Sequence, residues 1–419
     1  MNLLNLMLKK TLVVFFLLAA TSLLAQVNLT DKIPVDPKLK IGKLLNGLTY
    51  YIRENKKPEQ KVELRLVVNT GSIMEDDDQQ GLAHMAEHMA FNGTKNFKKN
   101  DIISFLQSIG VGFGNDLNAY TSFDETVYML PIPTDKPGNL EKGFQVLEDW
   151  AHNVTYLDED IENERAIILE ESRLGKGAED RMFRQIYPHL FAGSKYAQRL
   201  PIGVDSIIKT FKPDVIRKFY KDWYRPDLMA VVVVGDVSAS KAEELIQKHF
   251  SGLVNPAAPR PRVMADVPSY KTNSGKVVND KEATGYDISV SYSSFPSKQA
   301  TTVGEYKDDI VKDIFTTLLN QRLRELTQKE NPPFLFGYGY FNSYARGYDQ
   351  FNAVAGVATA DVAQKGLSAL MEEVEKAKRF GFTQTELDRA KMNKLAGMEK
   401  AYNERDKNKS ANFVNEYIR

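Results

Sequence analysis

The 419-residue chain is longer than one hydrophobic core usually serves, so two domains are expected, and its 42% apolar and 26% charged residues are ordinary for a globular protein. Lys+Arg and Asp+Glu balance at 55 each, which leaves no global field to attract nucleic acid or an anionic membrane. No cysteine is present, so neither a disulfide nor a cysteine-linked lipid anchor is possible.

The chain opens with "MNLLNLMLKKTLVVFFLLAATSLLAQ". Lys9 and Lys10, an apolar run from Thr11 to Leu24, and Ala25 before a polar stretch have the layout of a secretory signal peptide over residues 1–25. That run is short for a membrane span, and no later run is long and apolar enough. An exported protein, periplasmic or extracellular and without a stable membrane anchor, is therefore expected. Residues 26–42 read as an N-terminal extension. Asn46-Gly47 then marks a turn between two extended runs. Val62, Leu64, Leu66 and Val68 alternate with polar neighbours, predicting a half-buried strand that Gly71 ends.

The acidic "EDDDQQG" suits a helix start, and helix is predicted over Gly81–Asn92 and again near Asp101–Ile109. "GVGFGND", from Gly110, lacks the Lys-Ser/Thr of a phosphate loop. "NAYTSFDETVYMLPIP" reads as strand, while "NLEKGFQVLEDWAHNV" and "DEDIENERAIILEESRLG" read as helices, the latter closed by Gly175. "MAVVVVGDV" is a buried strand, and "SASKAEELIQKHF" a helix with Ser238 or Ser240 as its cap. Residues 43–254 are taken as the first domain, and the proline-rich "NPAAPRPR" opens a linker over 255–270. Beyond it the order of strand, long helix, two strands and helices recurs, without a histidine, over 271–419. This second domain is expected to be cut short. The fold class predicted is α+β, with two related domains, each a mainly antiparallel sheet with helices packed on one face.

The chemistry concentrates in "GLAHMAEHMAFNGT", from Gly81, which holds two of the five histidines. On a helix, His84, Glu87 and His88 fall within an arc of roughly 100°. Two imidazoles one turn apart can share a zinc ion, and a carboxylate beside them can reach its water. Catalytic zinc takes three protein ligands, and "ENERAIILEESR" offers the third as a carboxylate. Glu164 and Glu171 lie seven residues apart on one helical face, with Ile167 and Ile168 as core anchors. Spacing alone leaves Glu170 and Glu171 as alternatives. His152, His189 and His249 read as ordinary surface or satisfied core residues.

"GLAHMAEHMAFNGTKNF" with "ENERAIILEESR" resembles the insulinase/pitrilysin family of His-x-x-Glu-His zinc peptidases. The resemblance extends through "LLNGLTYYIREN", "LNAYTSFDETVYMLPIP", "LPIGVDSIIKTF" and "FYKDWYRPDLMAVVVVGDV". It implies one zinc ion per chain held by His84, His88 and Glu171, with Glu87 as general base. Glu164 would be an additional acidic residue that supports catalysis without ligating the metal. It further implies a peptide substrate that pairs as an added strand with "NAYTS", making Asn118 and Ala119 substrate contacts. A second half is implied as well, either the C-terminal part of a longer chain or a partner subunit. The function expected is a zinc-dependent endopeptidase acting on extended peptides or small unfolded proteins. The alternative is a non-catalytic subunit or binding module that keeps the peptidase fold, and a purely structural zinc would need four protein ligands rather than three.

Overall fold

The computed structural model describes residues 28–112 and 118–418; the signal segment at 1–25 and most of the Gly-rich loop lie outside the described residues. Strands β1 (Leu39–Lys43) and β2 (Thr49–Glu54) form the hairpin foreseen at Asn46-Gly47, with Lys43 opposite Thr49. Gly47 takes φ 96°, a turn conformation that glycine adopts without strain. After β3 (Lys61–Val68) come α1 (Leu82–Met89) and α2 (Asp101–Ser108). Helix α1 ends three residues before the predicted Asn92. There the ladder tightens, and Ala90, Phe91 and Asn92 each donate to the carbonyl three residues back. The stretch predicted as strand from Asn118 is two strands, β4 (Asn118–Thr121) and β5 (Thr126–Pro133), because Ser122 N–H bonds the Glu125 carbonyl and turns the chain.

The first unit continues with α3 (Asn139–His152), α4 (Asp158–Gly175), α5 (Ala178–Leu190), α6 (Asp205–Thr210), α7 (Pro213–Trp223), β6 (Met229–Gly235) and α8 (Ala239–Phe250). Ser238, not Ser240, caps α8 by accepting from Lys241 N–H. The sheet order is β1-β2-β6-β3-β5-β4, and the β2–β6 pair alone among these is parallel. Val62, Leu64, Leu66 and Val68 point from β3 into a core shared with Leu130, Ile132, Val231 and Val233.

Residues 253–285 contain no helix or strand. They lead to β7 (Tyr286–Ser291), β8 (Phe295–Pro296), α9 (Val303–Thr327), β9 (Phe336–Asn342), β10 (Tyr348–Val357), α10 (Ala363–Phe380), α11 (Gln384–Glu404) and α12 (Ser410–Tyr417). Helix α9 starts with a capping box between Thr302 and Glu305. Strand β10 pairs antiparallel with β7, β8 and β9, and its own apolar residues meet Leu319, Leu323, Leu370 and Val374 of α9 and α10. This is the α+β class expected, with the element order repeated.

One expectation fails in an instructive way. Strand β3 is not half-buried, because α12 crosses back onto the outer face of the first sheet. Phe413 and Val414 pack there on Val232, Val234 and Val67, and the Arg53 guanidinium lies 3.8 Å from the centre of the Phe413 ring. Glu63 and Arg65, two of the three polar residues of β3, are 6% and 5% exposed and pair with each other under that cover.

Candidate metal centre

Helix α1 is held at both ends. Gly81 starts it at φ 104°, against Gly203 at φ 76°, and a Cβ on Gly203 would sit 2.3 Å from the Gly81 Cα. The fully buried Glu75 carboxylate accepts from Gly81 N–H at 3.0 Å and Ala83 N–H at 2.9 Å. The first residue of the acidic run therefore meets the orphan donors of the helix start. Burial pushes Glu75 up to about 8. At the other end Trp150 Nε1 donates to the Ala90 carbonyl at 3.0 Å. Leu82, Met85, Ala86 and Met89 are buried, which turns His84, Glu87 and His88 together toward α4.

Helix α4 is anchored by Ile161 and Ile168, both fully buried; Ile167, expected to share that role, is 53% exposed. Adjacent residues on a helix point about 100° apart, so a single helix resting on one core uses one of the two. Buried Arg165 does the rest, donating to the Ile208 and Phe211 carbonyls across the Phe211 ring, while Ser172 Oγ donates to Asp205 at 2.8 Å.

These anchors bring His84, His88 and Glu171 together, with one donor atom of each within 4.8 Å of the others. His84 Nε2 lies 3.7 Å from Glu171 Oε1, and His88 Nε2 lies 3.5 Å from Glu171 Oε2. A tetrahedral ion with bonds of about 2.0–2.1 Å spaces its ligands about 3.3 Å apart, so the donor set fits zinc. Glu170 faces away and clamps Arg173 with both oxygens, at 2.7 and 2.6 Å. Burial, then the His88 charge, depress His84 to about 4, which leaves that ring neutral with a lone pair to give.

Glu164 is 5% exposed and sits behind His88. Its Oε1 accepts from His88 Nδ1 at 2.8 Å, which leaves Nε2 as the nitrogen aimed at Glu171. Its Oε2 accepts from Asn92 Nδ2 at 2.6 Å. Burial disfavours the Glu164 charge, but the His88 and Asn92 bonds and the His88 and Lys99 charges outweigh it and hold the carboxyl low. Burial likewise disfavours His88's charge, and the Glu164 bond and the surrounding carboxylates raise that imidazole nonetheless.

Glu87 is 7% exposed, and its Oε2 accepts from Thr121 Oγ1 at 2.7 Å. Burial, with a smaller push from Glu171, raises its pKa against the Thr121 bond and the His88 charge. Thr121 belongs to β4, which ends the sheet order; Asn118 on the same strand is exposed and Ala119 partly so. Sequence reasoning missed Thr121 and Asn92. Asn92 carried a signal, four residues beyond His88 at the close of the same helix; Thr121 carried none, because a strand-to-helix hydrogen bond leaves no local spacing. The other histidines lie elsewhere: His249 is held between Glu148 and Glu141, His189 bonds Ser274, and His152 is exposed.

The family model described as Insulinase (Peptidase family M16) matches residues 50–200, which include the whole His-His-Glu group. A second, described as Peptidase M16 inactive domain, matches residues 210–394, crossing β6 although that strand lies inside the first sheet. The chain is 34% identical to a "Zinc protease PQQL-like" of Arabidopsis thaliana over 90% of its own length and 36% of that protein's. It is 34% identical to a "Probable zinc protease PqqL" of Haemophilus influenzae over 90% of its length and 40% of that protein's. The chain thus spans well under half of these relatives. Among solved structures, the first half of the periplasmic protease PqqL from Escherichia coli superposes with a TM-score of 0.85 at 32% identity. That match covers 92% of this chain and 82% of that one.

Proposed function

Because the chain belongs to the insulinase family of peptidases, whose relatives here are named zinc proteases, we propose that it is a zinc-dependent endopeptidase with Glu87 as its base. One observation carries the reading: three metal donors converge beside a buried carboxylate that is not among them. A zinc ion held by His84, His88 and Glu171 would supply Lewis acidity to a scissile carbonyl and make a nearby water more acidic.

Each residue around it then has a task. Glu164 keeps the His88 proton on Nδ1, so Nε2 keeps its lone pair for the metal. Thr121 binds one oxygen of Glu87, so the other takes the proton from the attacking water and passes it to the departing amine. A raised pKa suits that exchange near neutral pH. The open edge of β4 receives an extended peptide as an added strand, with Asn118 and Ala119 as contacts. Main-chain pairing of this kind favours unfolded or extended substrates over particular side chains.

On this reading residues 43–254 form the catalytic domain and 271–419 a counterpart without metal, joined by the linker at 255–270. A second half, as in the longer relatives, completes the enclosure around the substrate, and the protein works after export. Among the described residues no helix is long and apolar enough to cross a membrane.

The test is zinc content together with cleavage of a quenched peptide library by the native protein and by Glu87→Gln. Zinc retained by both with cleavage lost in the variant supports the assignment. Equal cleavage removes Glu87 from its role. Zinc with no cleavage by the native protein leaves two readings, a structural metal or a catalytic site that needs the second half.

A further inference from the structure

The loop between β9 and β10 leaves its own sheet and docks on the first. Ala345 is 3% exposed in the first core, and the Arg346 backbone N–H donates to the Tyr196 hydroxyl at 3.0 Å. Tyr348, just beyond, bonds Asp266. These contacts hold the loop without the Arg346 side chain, whose guanidinium does something else. It donates to Glu125 Oε2 at 2.6 Å and to Asn69 Oδ1.

Glu125 closes the β4–β5 turn. Its carbonyl accepts from Ser122 N–H at 2.8 Å, and its Oε1 accepts from the Tyr120 hydroxyl at 3.2 Å. Tyr120 precedes Thr121, the residue bonded to Glu87. Among the described residues strand β4 spans Asn118–Thr121 and pairs with β5 alone, so its placement depends on how its end is fastened. A continuous chain of bonds therefore runs from the second sheet's loop, through Arg346 and Glu125, to the strand beside the metal donors.

We propose that Arg346 is a positioning residue, which acts through Glu125 to fix β4 so that its open edge and Thr121 stay in register with Glu87. It touches neither metal donor nor base itself. The inference rests on the reading above, in which β4 pairs with the peptide and Glu87 is the base.

The test compares native protein with Arg346→Ala, Arg346→Lys and Glu125→Gln by hydrogen exchange of residues 118–126 and by kcat and KM on an extended peptide. Loss of the charge-assisted Arg346–Glu125 bond, the one of the two guanidinium bonds that reaches the β4–β5 turn, should speed exchange of that segment about tenfold and raise KM by a similar factor, with kcat falling less. Zinc content, and exchange of β6, stay unchanged. Lysine restores the larger part, and Glu125→Gln, which keeps an acceptor oxygen but not the charge, moves exchange and KM in the same direction by a smaller factor. Unchanged exchange together with unchanged kcat/KM overturns the proposal and leaves the peptidase reading standing. If Arg346→Ala does not fold, Glu125→Gln decides between these outcomes. If the native protein cuts no peptide, the peptidase reading fails on its own, and hydrogen exchange alone decides whether Arg346 positions β4.

Discussion

Removing the carboxylate behind His88 isolates what the buried pair does for metal binding. Glu164 holds His88 through a 2.8 Å bond at a site where the carboxylate is 5% exposed, so its charge is little screened. A hydrogen bond to a charged group is worth about 1.5–3 kcal/mol, and loss of such a partner costs about 10–100-fold in metal affinity. At about 1.4 kcal/mol per factor of ten the two figures agree. Glu164→Ala should therefore weaken zinc binding by about 10–100-fold. Glu164→Gln keeps an oxygen that can accept from Nδ1 but not the charge, so its loss should sit at the low end. Glu171→Ala, which removes a donor, should cost more than either. His249→Gln serves as control, since His249 makes an equally short bond, 2.7 Å to Glu148, away from the metal donors. The assay is competition for zinc against a chromophoric chelator near neutral pH, with folding checked by circular dichroism. A folded Glu164→Ala protein with native zinc affinity would refute the reasoning.

Three further outcomes are expected. Thr121→Val removes the donor to Glu87 at nearly constant volume; kcat should fall about tenfold with zinc content unchanged, and a native kcat would separate Thr121 from the base. Glu75 is raised by burial to about 8 from an ordinary 4.5, so the fold favours its protonated form. That contribution, on the order of a few kcal/mol at most, is fully present below pH 4.5 and is lost as pH climbs through 8. Glu75→Gln keeps the acceptor for Gly81 and Ala83 without a charge, so urea midpoints measured against pH should flatten over that window; parallel curves for the two proteins would contradict this. Gly203→Ala drives a Cβ to within 2.3 Å of the Gly81 Cα at a residue with φ 76°, and should lower stability by about 2 kcal/mol or more in calorimetry.

The elements whose signal is local were legible in the sequence. Helix α4 runs over the predicted Asp158–Gly175, and the hairpin at Asn46-Gly47 stands where its turn residues put it. What periodicity misses is cover supplied from afar. Glu63 and Arg65 read as the wet side of β3, yet residues 410–417 return to bury them, and nothing within β3 announces that visit. Ile167 shows the converse limit. Two adjacent isoleucines look equally apolar in sequence, but a helix resting on one core uses one of them, and the phase is set by Arg165 and Ser172 reaching α6.

The same distinction runs through the candidate metal centre. Spacing put His84 and His88 on one face and Glu164 in phase with Glu171, because residues four and seven apart share a side of any helix. Spacing could not choose between Glu170 and Glu171, since both lie near that face; the choice is made by Arg173, which draws Glu170 away at 2.7 and 2.6 Å. Nor does spacing within α1 reveal that Glu87 needs a hydroxyl from a strand 34 residues on. Donor atoms can be read from two local motifs because each helix sets the phase of its own, His84 and His88 on α1 and Glu171 on α4. The side chains that bond the α1 residues come from other elements, Glu164 of α4 on His88 and Thr121 of β4 on Glu87, and no spacing within α1 points to either.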